Sequence, residues 1–296
     1  MSVTSEAPAT YRNAAGPRGP LALLTEAIGE VRSRRRLVAY LVRAEMKKRG
    51  ADTLLGNFWW VLDPLLQMIV YVIIVTILAR DRYPDYPLFI FSAILPWKWF
   101  SAVIGDATSS VVSQERLIKQ MAFPKIVLPI SAASAGVVGF AFGLIPLALV
   151  MQLFPDRITP FVLLVPVIAV VQYVFSLAFA ILVAAANVFF RDLGNVTRHA
   201  LRLWFYLSPG LYGLDLLRGL EIFEENPALI TLVRLNPFVI LFESYRAVIY
   251  GAPDAPGVGL APDWFALGAL LAVSVAFLAV STMVFKRLEP TFAKVL

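Results

Sequence analysis

The chain contains no cysteine and a single histidine, His199, among its 296 residues. The first absence excludes disulfides, thiolate metal sites and cysteine nucleophiles together, and the second leaves little for zinc or triad chemistry. Charge is scarce too: Asp, Glu, Lys and Arg make up 16% of the sequence against 59% hydrophobic residues. There is no His-Glu-x-x-His, no paired-aspartate cluster and no Gly-x-Ser-x-Gly, so an embedded enzyme would lack the grouped ionisable side chains it needs. Nor is there a Gly-x-x-x-x-Gly-Lys-Ser/Thr to cradle nucleotide phosphates. If ATP drives this chain, another polypeptide binds it.

What is abundant is apolar surface, more than a soluble domain of this length can bury. Mean hydropathy is +0.75. Several apolar runs reach the ~20 residues that a helix needs to cross a ~30 Å hydrocarbon core, which predicts an all-α integral membrane protein and not a β-barrel. Residues 1–29, with Pro8, Gly16, Pro17, Gly19 and Pro20, read as a disordered or weakly ordered tail. The apolar cluster at 21–24 is too short for a signal-peptide core, so the amino terminus is expected to be mature and uncleaved. Over residues 30–57, Leu37, Tyr40, Leu41 and Ala44 recur at helical spacing while Arg34, Arg35, Arg43, Lys47 and Lys48 fall largely elsewhere. That pattern describes either an amphipathic helix on the membrane surface or a basic flank that orients the first span.

Six spans are expected within 58–290: residues 59–79, 88–112, 126–154, 161–190, a fifth beginning near Arg198, and 264–285, leaving a tail at 291–296. Pro209, Gly210 and Gly213 interrupt the fifth before a comfortable crossing length. Between 214 and 251, the segments 214–223 and 238–250 are each too short to cross and read as re-entrant or interfacial half-helices, tolerable at membrane depth only where protein or water satisfies their ends. Six crossings put both termini on one side. Of 26 Lys and Arg residues, only Arg80, Arg82, Arg157, Arg218, Arg234 and Arg246 fall on the other side, with Lys98 inside a span. Basic residues favour the cytoplasm, so both termini are expected there, and the net charge of +6 needs no nucleic acid partner.

Three groups of residues could carry function. Residues 113–125, from Ser113 to Lys125, form a charged interruption between apolar runs, with the mixed character that suits docking on a soluble partner. Within the spans, Lys98 either lines a polar path or pairs with a carbonyl or carboxylate inside the bundle, and Asp106 reads as a structural or interfacial partner. Aromatic residues Tyr71, Trp97, Trp99, Phe100, Phe175, Phe179, Trp204, Phe205, Tyr206 and Tyr212 could line a passage in which sugar C–H faces stack on rings. Equally, they could pack helices together.

The order of short motifs is familiar. Leu-Val-Arg-Ala-Glu-Met-Lys-Lys-Arg at 41–49 and Leu-Leu-Gly-Asn-Phe-Trp-Trp-Val-Leu-Asp-Pro-Leu at 54–65 are followed by Leu95-Pro96-Trp97, Glu115-Arg116-Leu117-Ile118-Lys119 and Phe123-Pro124-Lys125. Phe190-Arg191-Asp192-Leu193, Leu207-Ser208-Pro209 with Tyr212, and Asn236-Pro237-Phe238 leading to Tyr245-Arg246 complete the series. In that order they resemble the ABC-2 type permeases that export polysaccharides: O-antigen, capsule and teichoic acid.

The resemblance implies a homodimer in a bacterial inner membrane, each copy docked on one of two cytoplasmic ABC ATPase subunits that bind ATP and Mg, with no cofactor in this chain. It implies that the helix within 30–57 is a gate helix, that Glu115, Arg116, Leu117, Ile118 and Lys119 contact the ATPase, and that 214–251 forms outer gate helices. The substrate it implies is an undecaprenyl diphosphate-linked glycan. Arg43, Lys47, Lys48 and Arg49 could attract its anionic end, or simply bind bulk anionic lipid. An ABC-2 exporter of drugs or small lipids, a membrane glycosyltransferase and a passive channel are the rival readings.

Overall fold

The computed structural model describes residues 19–50, 54–79 and 83–296, and every regular element among them is helical. Residues 1–18 of the expected tail, together with Arg80 and Arg82, lie outside the described residues. The tail was expected to reach residue 29, yet helix α1 (Pro20–Ser33) already begins at Pro20. A proline at the first helical position loses nothing, because the N–H it lacks would have no intrahelical partner there. The expected helix within 30–57 is α2 (Arg35–Gly50), separated from α1 by a break at Arg34.

The apolar body comprises α3 (Trp59–Ala79), α4 (Tyr86–Ser110), α6 (Val127–Gln152), α7 (Val165–Phe189), α8 (Leu193–Leu207) and α13 (Trp264–Val295), with the short α5 (Glu115–Gln120) between α4 and α6. Among the described residues, four helices are long and apolar enough to cross a membrane: those containing α4, α6, α7 and α13. Helix α3 adds a 21-residue apolar helix. Helix α4 is the centre, with 78% of its most apolar window buried against 22% for the peripheral α13.

Close packing around α4 depends on small residues facing large ones. A Cβ at Gly136 would collide with Val103 Cγ2, and one at Gly143 with Leu95 Cδ1. Two missing side chains on α6 therefore receive two α4 side chains, the small-residue device that lets helices approach without a hydrophobic drive between them. Gln172 on α7 donates to the Pro96 carbonyl at 2.7 Å, tying α7 to the point where proline interrupts α4.

Helix α8 stops after 15 residues, about 22 Å of rise and short of the hydrocarbon thickness. The chain then turns through Ser208-Pro209-Gly210 into α9 (Leu214–Arg218), α10 (Glu221–Glu225), α11 (Pro227–Arg234) and α12 (Pro237–Ile249). The segment at 214–223 is thus two short helices instead of one half-helix. α11 and α12 are bent by 77° at their junction and together are apolar enough for one span.

The backbone groups freed by the break are met by side chains. Arg246, buried on α12, donates to the carbonyls of Gly210 at 2.7 Å and Tyr212 at 3.2 Å, while its guanidinium lies 4.0 Å above the Phe89 ring. Tyr86 donates to the Leu211 carbonyl at 2.9 Å, and Gly213 N–H donates to the Tyr83 hydroxyl at 2.9 Å. Asn236 bridges the turn, donating to Ser208 Oγ at 2.8 Å and accepting from Trp204 Nε1 at 3.0 Å.

At the same end, Arg157 donates to Asp85 at 2.9 Å and to the carbonyls of Ala252 and Pro253. At the opposite end, Ala27 of α1, Ile118 of α5, Val188 of α7 and Phe292 and Leu296 of the carboxyl terminus share a second apolar core. Residues near both ends of the described chain therefore lie together.

Replacing Arg246 with Leu is expected to strand two buried carbonyls and to lower stability by on the order of 3 kcal/mol. Arg234→Ala, on the exposed surface of α11, should change it by less than about 0.5 kcal/mol. Melting temperatures of the detergent-purified proteins measure both.

Candidate functional site: a basic, aromatic cleft

A cleft of about 670 Å³ lies between α3, α4 and α8, with the carboxyl end of α7 at its wall. Helix α4 presents Trp97, Ser101, Gly105, Thr108 and Ser109, spaced three or four apart so that they share one face. Helix α3 contributes Gln67 and Tyr71. Helix α8, the most strongly amphipathic of the long helices, contributes Arg198, Arg202 and Tyr206 at successive turns, with Arg191 just before its start.

Two features distinguish this cleft from an apolar packing gap. No carboxylate is found among the described residues that line it, so the three exposed arginines give it one sign of charge. Asn187 Oδ1 and Ser101 Oγ are buried in its wall without a hydrogen-bond partner. Such groups carry a desolvation cost until something polar meets them.

Of the expected passage residues, Tyr71, Trp97, Phe205 and Tyr206 line the cleft. Phe100, Phe175, Phe179 and Trp204 do not: they stack on one another and on Phe238, with Phe100 at 5.6 Å from Phe175 and 4.7 Å from Phe238, in the core. Trp97 and Phe205, at the edge of the cleft, are buried in the same aromatic cluster. Tyr212 belongs to the turn after α8, where its carbonyl accepts from Arg246.

Lys98 and Trp99 face a second, smaller hollow of about 230 Å³ between α3, α4 and α6, where Lys98 pairs with Asp63 and donates to Gln67. Pairing with a carboxylate is the arrangement found of the two open to Lys98.

The basic residues expected at an entrance, Arg43, Lys47 and Lys48, are exposed on α2, which packs on α6 away from the cleft helices; the Arg49 side chain lies outside the described residues. The half-buried face of α2 is Leu37, Val38, Leu41, Val42 and Met46, so Tyr40 and Ala44 point outward, contrary to the expected stripe. The arginines that do reach a cleft were overlooked in the sequence. Their signal is the spacing: Arg198 and Arg202 stand four apart, with Tyr206 four further on.

Residues 36–250 match the model of the family described as ABC-2 type transporter. The chain belongs to the ABC-2 type transporter family. It is 35% identical over 268 residues to an O-antigen export system permease protein, RfbA, of Myxococcus xanthus, covering 90% of this chain and 98% of that one. It is 26% identical over 263 residues to a protein of the same name from Klebsiella pneumoniae, covering 88% and 95%.

In this ABC-2 chain the charged interruption takes a definite shape. Glu115 and Lys119 pair at 2.6 Å along α5, and Arg116 and Lys119 are exposed. Leu117 is half-buried and Ile118 is buried in the second core. Ile118 anchors α5 in the bundle.

The following loop is fastened as well. Lys125 N–H donates to Glu289 Oε1 at 2.5 Å, and Lys286 gathers Glu289 at 2.7 Å, Glu30 at 2.8 Å and Glu26 at 3.4 Å. One lysine thus links α1, α13 and the α5–α6 loop. Burial holds the Glu30 carboxyl above its ordinary value, against the opposing pull of Lys286.

Removing that lysine leaves three carboxylates facing one another. Lys286→Met is expected to cost on the order of 3 kcal/mol near neutral pH. Part of the loss should return on acidification, since a carboxylate with a raised folded pKa stabilises the fold while protonated and ceases to as pH rises through that value. Melting of wild type and variant between pH 5 and pH 8 tests this: the gap should narrow at the acidic end.

Proposed function

We propose that this chain is the membrane-spanning permease subunit of an ATP-driven exporter that moves a polysaccharide, carried on undecaprenyl diphosphate, out of the cytoplasm. The cleft carries this reading. Its arginines suit a diphosphate, its Tyr71 and Tyr206 suit sugar rings, and the relatives of the chain are named for O-antigen export. A drug or small apolar lipid would have no use for three arginines beside unpartnered polar groups.

The crossings are α3, α4, α6, α7, α8 continued by the outer short helices, and α13, six in all. An even number is supported by the shared position of α1 and the carboxyl terminus. Basic residues exposed around α2, α5 and the start of α8 support that end as the cytoplasmic one, in a bacterial inner membrane. The cleft lies open along α3 and α8, and a second copy of the chain facing it would close a passage between the two. Helix α5, presenting Arg116 and Lys119, is the lever on which a separate ATPase subunit bears. Closure of two such subunits would shift the bundle through the fastened loop between two arrangements.

The test reconstitutes the chain with an ATPase partner in inside-out vesicles and follows entry of the lipid-linked glycan. Entry is expected to need ATP and to stop when the partner cannot hydrolyse it; persistence would refute the reading, and entry of small lipids alone would move it to the rival exporter class. Arg198→Gln with Arg202→Gln should cut transport at least about ten-fold, given roughly 1.5–3 kcal/mol for a charge-assisted hydrogen bond. Arg43→Gln with Lys47→Gln, outside the cleft, should have the smaller effect. Arg116→Glu should leave the melting temperature unchanged while uncoupling ATP hydrolysis from transport.

A further inference from the structure

The smaller hollow, between α3, α4 and α6, differs in chemistry from the cleft. Its volume is about 230 Å³, and Trp59, Trp60, Asp63, Lys98 and Trp99 line it. Since ~15 Å³ already admits a water, there is room for a larger group. Where the cleft is basic, this hollow holds one charge of each sign, because Lys98 pairs with Asp63. Trp59 and Trp60 open α3, the position of an aromatic pair at headgroup level, and Asp63 follows one helical turn further in.

Three polar groups there are left open. An ammonium has three hydrogens, and Lys98 gives one to Asp63 and one to Gln67, the latter at 3.0 Å. Among the described residues Asp63 is engaged through Oδ2, and with 61% of its side chain exposed it can accept from outside through Oδ1. Trp99 Nε1, buried and without a hydrogen-bond partner, lies beside Gly136 in the wall. The open set is therefore two donors and one carboxylate acceptor. The donors suit a phosphate oxygen, the carboxylate suits an ammonium, and indole faces suit a cation lying over them. Only a ligand with both charges meets all of these, and the neutral sum of Lys98 and Asp63 favours neither a bare anion nor a bare cation.

Apolar surface continues from the hollow. Beyond Asp63 on the same face of α3 come Leu66, Val70 and Ile73, all exposed. A free phosphate ester would leave that stripe bare, whereas a lipid would cover it.

We propose that this hollow is a specific site for a zwitterionic phospholipid whose headgroup joins a phosphate to a primary ammonium, as in phosphatidylethanolamine. The phosphate meets Lys98 and Trp99, the ammonium meets Asp63 beside Trp59 and Trp60, and an acyl chain follows Leu66 and Val70. This inference goes beyond the transport reading and does not depend on it.

The test takes the full-length chain in detergent, stripped of native lipid, and titrates phosphatidylethanolamine, phosphatidylcholine or phosphatidylglycerol, counting bound lipid by native mass spectrometry. Wild type should take up one phosphatidylethanolamine per chain, at least about five-fold more tightly than the other two, since choline has no N–H for Asp63 and glycerol no cation. Asp63→Asn keeps an oxygen for Lys98 but leaves the site positive. Its affinity for phosphatidylethanolamine should fall about ten-fold, and phosphatidylglycerol should become the preferred lipid. Trp99→Phe, which loses the indole donor, should weaken phosphatidylethanolamine binding about five-fold. Soluble phosphorylethanolamine in excess should not displace the lipid.

Equal affinity for the three lipids, a lipid ranking unchanged in Asp63→Asn, or displacement by the soluble headgroup would each overturn the proposal. Should Asp63→Asn fail to fold, Trp99→Phe decides, and wild-type affinity in that variant would overturn it. A purely structural Lys98–Asp63 pair would lower the melting temperature of Asp63→Asn and leave the lipid ranking alone. Since neither glycan nor ATP hydrolysis enters the assay, a failed transport experiment and a failed lipid site remain distinguishable.

Discussion

A polar group inside an apolar bundle must find its partner within the protein, because hydrocarbon offers none. That constraint explains most of the specific geometry here. α8 ends short of a full crossing, and the carbonyls beyond it would be intolerable without Arg246 and Tyr86 to donate to them. Arg246 is in turn held at 3.1 Å from Glu243 and stacked on Phe89, so a buried cation and an interrupted helix satisfy each other. The same logic places Arg157 against Asp85 and two loop carbonyls, and Lys98 against Asp63 and Gln67.

The two ends of the bundle use this constraint differently. At the end bearing α9 to α12, arginines are spent inward on backbone, which makes a rigid cover over the turn after α8. At the other end, Lys286 joins elements distant in sequence: α1, α13 and the loop that follows α5. A push on α5 is therefore transmitted to α13 and to α1 through short polar contacts as well as through the apolar contacts of Ile118.

Rings and arginines divide along a similar line. Where aromatics occur densely on adjoining helices, as at Phe100, Phe175, Trp204 and Phe238, they bind to each other and make core. Where one helix is polar on a single face, as α8 is, the hollow beside it stays open. The small polar face of α4 leaves the hollow open there, and the arginines opposite make it basic.

Much of this was legible in the residues themselves. Composition and run length establish a helical membrane protein, Pro209 and Gly210 mark the broken helix, and ordered motifs such as Phe123-Pro124 and Asn236-Pro237 point to the family, because each depends on local properties of a few neighbouring residues. The helix beginning at Pro20 and the inward turn of Ile118 were not legible, since an exposed-looking segment becomes ordered only by packing on elements far along the chain. Nor could spacing tell Tyr71, half-buried at the cleft, from Phe100, which is wholly buried: they differ in which neighbours the surrounding helices bring against them. By itself the sequence determined that polar groups would be stranded within an apolar bundle. Only the tertiary structure decided which of them pair with one another and which are left facing a cleft, because that depends on the juxtaposition of helices and not on their content.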